Sequence, residues 1–182
     1  MKKPQILRVK KDRSIPWYEQ IKKTVILPHD NKEQIYYSIK PSDYVVILAQ
    51  TTDEKIIIVR QYRPAIEDYV YELPSGHLEK EETPELAIIR ELKEETNCIA
   101  RSVILLGQNY PDTGRLENCQ WAFYSNDIKV NEFPALSENE GIEVSLVSLG
   151  AFLEMINEGM FRHALDLCVI ALAISKGYLK IS

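Results

Sequence analysis

The chain has 182 residues, 45% of them hydrophobic, and 22 Lys or Arg against 27 Asp or Glu give it a net charge of −5. That length suits one globular domain with a short extension, and the negative balance excludes a nonspecific nucleic-acid binder, whose affinity comes from clustered cations. No apolar run reaches the length of a membrane span, and the Met-Lys-Lys-Pro start lacks the apolar stretch of a signal peptide.

Three widely spaced cysteines, Cys98, Cys119 and Cys168, suggest neither a disulfide framework nor a zinc site. A cytoplasmic protein with reduced thiols and no membrane partner is expected. Residues 1–13 carry six Lys or Arg and read as a first strand or arm that needs a partner surface. Residues 23–27 and 34–39, on either side of Pro28-His29-Asp30-Asn31, read as a β-hairpin. Such a hairpin is too small to stand alone. It is expected to pack on the main domain or on a second copy, so that residues 1–40 form an N-terminal β extension and residues 41–182 the main domain.

Residues 44–49 and 55–60 are β-branched runs joined by the polar Thr51-Thr52-Asp53-Glu54, the pattern of buried strands linked by a hairpin. Arg60 and Arg63 follow at the strand end, and residues 69–73 form a further strand running into Pro74-Ser75-Gly76. A pair of arginines in such a place is either solvated or used to hold an anion, for which the forked guanidinium is suited.

Thr83 is an N-cap candidate, Pro84 suits the first helical position, and Asn97 tolerates the left-handed backbone of a helix end, which predicts a helix from Pro84 to about Thr96. At about 100° per residue, Glu94 and Glu95 fall within about 60° of Glu91, while Leu92, Ile89 and Leu86 fall on an apolar side. Like charges at this spacing disfavour a helix by roughly 0.2–0.5 kcal/mol, and the last turn already faces the negative end of the macrodipole. An acidic helix face is ordinarily a solvated one. Here Arg90 can neutralise Glu94, which leaves Glu91 and Glu95 for a hard divalent cation such as Mg²⁺, with Mn²⁺ as the alternative ion.

Downstream, residues 102–106, 120–124 and 142–147 read as strands, and 110–114 and the acidic 131–141 as loops. Residues 149–157 and 161–176 read as packing helices, the second with Leu165, Val169 and Leu172 at helical spacing. Strands, a helix, more strands and closing helices make a mixed α/β sandwich.

Gly76, five residues, Glu82, seven residues, then Arg90-Glu91-Leu92-x-Glu94-Glu95 resembles the signature of the Nudix hydrolases, which cleave nucleoside diphosphates linked to another moiety. Asn97-Cys98 stands where that signature has a glycine and an aliphatic residue. With Val59-Arg-Gln-Tyr-Arg63, residues 72–79 and residues 137–142, the chain is similar to the ADP-ribose pyrophosphatase branch over roughly 40–175.

The resemblance implies an α/β/α sandwich with a mixed sheet, a homodimer in which the N-terminal β structure packs across the pair, and a nucleoside diphosphate sugar as substrate. It implies that the Ser75 carbonyl and the carboxylates of Glu91, Glu94 and Glu95 bind Mg²⁺, that Arg90 orients the acidic cluster, and that Glu82 supports the loop or binds another ion. Among the loop acids Glu138 is the preferred base and Glu140 the preferred extra ligand. Arg60 and Arg63 would contact the diphosphate, and Trp17 would stack on a nucleobase or pack at the dimer. ADP-ribose, cleaved to AMP and ribose 5-phosphate, is the leading substrate. GDP-mannose or another nucleotide sugar is the alternative within the class, and a nucleotide-sugar sensor that no longer cleaves its ligand is the alternative outside it.

Overall fold

The computed structural model describes residues 3–29, 31–131 and 141–180, and the chain divides into two units. Met1–Asp43 and Tyr110–Cys119 make up the first, and Tyr44–Asn109 with Gln120–Ser182 the second. No described helix is long and apolar enough to cross a membrane.

In the first unit, β1 (Gln5–Asp12), β2 (Tyr18–Ile26) and β3 (Glu33–Pro41) form an antiparallel sheet in that order. The basic arm is thus a third strand beside the expected hairpin, with Gln5 opposite Ile26 and Asp12 opposite Gln20. The loop at 110–119 is tied to β3: the Ile39 amide donates to Arg115 O at 2.9 Å and the Glu117 amide to Ile39 O at 3.0 Å. The Glu117 carboxylate accepts from Lys23 Nζ on β2 and from the Ser38 hydroxyl on β3.

The second unit is built on β4 (Tyr44–Thr51), β5 (Lys55–Arg63), β6 (Asp68–Glu72), β7 (Ser75–His77), β8 (Cys98–Ala100), β9 (Ile104–Asn109), β10 (Gln120–Val130) and β11 (Glu143–Ser148). The described residues add the helices α1 (Pro84–Thr96), α2 (Leu149–Asn157) and α3 (Ala164–Ser175). The order β11-β5-β4-β10-β8 carries β6 on β5, β7 on β4 and β9 on β10. Among the described strands of this unit β4 and β10 pair in parallel and the other pairings are antiparallel, so the sheet is mixed. The β4–β5 hairpin pairs at Gln50 and Ile56 alone and then opens, freeing β4 for β7 and β10 and β5 for β6 and β11.

Alternation along the strands sorts the apolar side chains into two layers. Val45, Ile47, Ala49, Ile57 and Phe123 pack with Ala87, Ile88 and Leu92 of α1. Val46, Leu48, Ile56, Ile58 and Tyr124 pack with Phe152 of α2 and with Val169, Ile170 and Ala173 of α3. Runs that are apolar at every position are what a sheet covered on both faces requires. The result is the expected α/β/α sandwich.

Four elements differ from the sequence expectation. β8 is an additional three-residue strand, and β10 runs on to Val130 because Ile128, Lys129 and Val130 pair with it. α3 begins at Ala164 rather than Phe161, since His163 has extended backbone and its side chain turns to Asp166. The buried side of α1 is also rotated. Leu86, expected on the apolar side, is 60% exposed, whereas Ala87, Ile88, Leu92, Glu95 and Thr96 are buried. The carboxylate stripe therefore adjoins the core instead of opposing it.

Candidate functional site

Local chemistry sets up one wall of a cleft of about 530 Å³ in the second unit. Thr83 Oγ1 caps α1 by accepting from the Leu86 amide, Pro84 starts the helix, and Asn97 ends it at φ 54°, its amide donating to Lys93 O. The helix is thereby stopped where Glu91, Glu94 and Glu95 line the cleft beside Ser75, Gly76 and His77 of β7.

Glu95 is only 5% exposed, and its Oε2 accepts from the Ser75 amide at 2.9 Å. Burying a carboxylate is costly unless hydrogen bonds compensate, so this bond belongs to the reason β7 and α1 meet here. A Cβ on Gly76 would stand 1.9 Å from Glu91 Cδ, so the missing side chain is what lets that carboxylate rest on the β7 backbone.

Arg90 organises the rest of the acidic face. Its guanidinium reaches Glu82 at 2.9 and 3.0 Å, Glu91 at 2.7 Å, Glu94 at 3.0 Å and the His77 carbonyl at 3.2 Å. It holds Glu91 as well as Glu94, a wider role than neutralising Glu94 alone. The ion pairs, Glu82 first, push the Arg90 pKa far up and hold the Glu82 carboxyl below its ordinary range. Oxygen donors of this kind suit a hard divalent cation. Among the described residues, however, no group of three or more His, Cys, Asp or Glu side chains is gathered as a metal cage, and Arg90 is the cation paired with Glu82, Glu91 and Glu94.

The other wall comes from β4, β5 and the start of α3: Tyr44, Gln61, Arg63, His163 and Leu165. Arg63 donates through Nε and a terminal nitrogen to both oxygens of Glu72, and Gln61 Nε2 adds a third bond at 2.9 Å. Glu72 is 3% exposed, and this fork is what makes its burial tolerable. Asp166 is fully buried. Its Oδ2 accepts from the Leu73 amide at 2.7 Å, and its Oδ1 lies 2.9 Å from His163 Nδ1. The carboxylate raises the imidazole pKa, while burial raises that of Asp166 itself.

Of the residues singled out from the sequence, Ser75, Glu91, Glu94, Glu95 and Arg63 line this one cleft. Arg90 stands behind it among the carboxylates. Arg60 does not line it. Strand alternation turns it to the other face of β5, where it bonds Glu143 at 3.0 Å and lies over the Tyr69 ring at 4.5 Å. Trp17 belongs to the first unit and is 78% exposed. Glu138 and Glu140 lie outside the described residues. Sequence reasoning passed over Tyr44, Gln61, His163 and Asp166. The one local signal was a His and an Asp three residues apart at the start of an apolar helical run.

Comparison with known proteins places this site in a family. The chain is 34% identical over 119 residues to the ADP-ribose pyrophosphatase of Bacillus subtilis (strain 168), which covers 65% of this chain and 64% of that protein. It is 30% identical over 115 residues to the methanol dehydrogenase activator of Bacillus methanolicus, covering 63% and 62% respectively. The chain thus spans less than two thirds of the length of these relatives. A solved ADP compounds hydrolase shares the fold with a TM-score of 0.81 at 18% identity, over 100% of this chain and 98% of that one. The NUDIX domain profile matches residues 40–165, which hold both walls of the cleft, and the chain belongs to the Nudix family.

Proposed function

We propose that the protein is a Nudix pyrophosphohydrolase that cleaves the diphosphate of a nucleoside diphosphate sugar, ADP-ribose foremost, to AMP and ribose 5-phosphate. The observation that carries this reading is the cleft in which Glu91, Glu94 and Glu95 share one wall with Ser75-Gly76 and Arg63 stands on the other. The 34% identity to a protein named an ADP-ribose pyrophosphatase supports the choice of substrate.

Glu91, Glu94, Glu95 and the Ser75 carbonyl would hold Mg²⁺, which when bound draws charge from a diphosphate and acidifies a water. Arg90 keeps the acidic face together until then, and the Ser75 amide holds Glu95 in place. Arg63, fixed by Glu72, offsets charge on phosphoryl oxygens. Glu138 takes the proton of the attacking water, and Glu140 adds a further ligand. The exposed Ile6, Val9, Ile35 and Tyr37 of the three-stranded sheet support a homodimer through the first unit, with Trp17 offered to a base or to the partner copy. The free cysteines support a cytoplasmic setting.

The test is hydrolysis by the purified protein with Mg²⁺ of ADP-ribose, GDP-mannose, NADH, diadenosine polyphosphates and dNTPs, with products identified. ADP-ribose should yield AMP and ribose 5-phosphate, and Glu95→Gln should lower turnover by about 10²-fold or more. Preference for dNTPs, or full activity in that variant, overturns the proposal.

A further inference from the structure

The α3 side of the cleft holds a pair of groups that the acidic face does not account for. His163 Nδ1 and Asp166 Oδ1 lie 2.9 Å apart, both atoms are buried, and neither has a hydrogen-bonding partner elsewhere among the described residues. The carboxylate's other oxygen is fixed by the Leu73 amide of the β6–β7 connection at 2.7 Å. Asp166 is thus clamped to the backbone two residues before Ser75, and it clamps the ring in turn. The imidazole is otherwise a lining residue of the cleft, a third of its side chain exposed. Since Nδ1 is the buried edge, the exposed remainder of the ring carries Nε2.

A fully buried carboxylate directed at a half-exposed histidine is an expensive arrangement if the ring only packs. It does favour the imidazolium: Nδ1–H donates to the Asp166 carboxylate, and the protonated ring then holds its second donor, Nε2–H, outward, whereas the neutral ring would present Nε2 as an acceptor. The charged groups acting on this ring are Asp166, Glu72 and Arg63, and Arg63 lines the same wall with two of its nitrogens already given to Glu72. Arg63 and, when protonated, His163 are therefore cationic donors on the wall built from β5 and α3, while the carboxylates share the wall built from β7 and α1.

We infer that the His163–Asp166 pair is an anion-anchoring element of the cleft: Asp166 positions the ring, and His163 donates Nε2–H to a phosphate oxygen of the bound substrate beside Arg63. This rests on the reading that the cleft receives a diphosphate. His163 is a binding residue and Asp166 a positioning residue, and neither is assigned a bond-breaking step.

Steady-state hydrolysis of ADP-ribose with Mg²⁺ by the full chain tests the anchor. His163→Gln should lower kcat/KM about ten- to hundredfold, with the loss carried by KM. In the unaltered protein 1/KM should fall as the pH rises through the raised imidazole pKa, and that fall should vanish in the variant. Asp166→Asn should move KM in the same direction, with the fall in 1/KM displaced to lower pH. A KM and a pH profile of 1/KM unchanged in His163→Gln overturn the inference, as does a loss confined to kcat. A second measurement needs neither a variant nor turnover: nitrogen-15 NMR of the imidazoles of the unaltered protein, titrated with inorganic pyrophosphate. The His163 titration should shift to higher pH on addition of pyrophosphate, and an unmoved His163 signal overturns the anchor. Absence of hydrolysis of every nucleoside diphosphate would instead overturn the functional reading, and the NMR result would still decide the anchor.

Discussion

Gly76 has no side chain at a point where a Cβ would meet Glu91 Cδ at 1.9 Å. Gly76→Ala must therefore move the Glu91 carboxylate, and a displacement on the scale of 1 Å at a reacting site costs on the order of 10²-fold in rate. The expected outcome is a loss of that size in kcat with ADP-ribose, together with weaker activation in a Mg²⁺ titration. Arg90 is the counterpart on the exposed side. Its bonds to Glu82, Glu91 and Glu94 keep three carboxylates at close range, and Glu82 has its pKa lowered chiefly by that contact. A carboxyl with a depressed native pKa contributes stability that is present above its unfolded pKa and lost as the pH falls through the native one. Arg90→Gln removes that contribution, so the gap in melting temperature between the variant and the parent should narrow as the pH drops below about 4, and calorimetry across pH checks it.

At the scale of elements, α1 depends on its ends as much as on its buried residues. Ile88 and Leu92 are fully buried, each worth about 1.5–3 kcal/mol of transfer free energy, but the Thr83 cap and the left-handed Asn97 decide where the helix starts and stops. Thr83→Ala should cost about 1 kcal/mol in a urea titration. The loop at 110–119 is an element of a different kind, held to β3 by backbone bonds and by the Glu117 carboxylate rather than by an apolar face. Burial works against ionisation of Glu117, yet the Lys23 ammonium and the Ser38 hydroxyl bring its pKa below the ordinary value. Glu117→Gln is expected to speed hydrogen exchange at the amides of residues 39 and 117, whose bonds join the loop to β3, and to leave the α1 amides unchanged.

At the scale of the molecule, the three-stranded sheet carries Ile6, Ile35 and Tyr37 more than half exposed, an apolar load that a homodimer would cover. Sedimentation equilibrium should give a two-chain mass for the parent and a one-chain mass for Tyr37→Asp. A two-chain mass for both would remove this face from the interface. The second unit explains why the family profile spans it: one sheet holds α1 on one layer and α2 and α3 on the other, and the cleft lies where residues from β4, β5, β7, α1 and α3 converge.

The sequence alone determined the features whose causes lie within a few residues. The bounds of α1 follow from Thr83, Pro84 and Asn97, the buried strands from their β-branched runs, and the acidic face from the spacing of Glu91, Glu94 and Glu95. Only the tertiary structure decided the rest, because each remaining choice depends on a partner distant in sequence. Glu95 turns to the core because the Ser75 amide, 20 residues earlier, needs an acceptor there. Alternation puts Arg60 and Arg63 on opposite faces of β5, but that the Arg63 face borders the cleft depends on β7 and α1 meeting on that side. His163 is held at the cleft because Asp166 is itself held by the Leu73 amide, 93 residues away, a bond that no local pattern encodes.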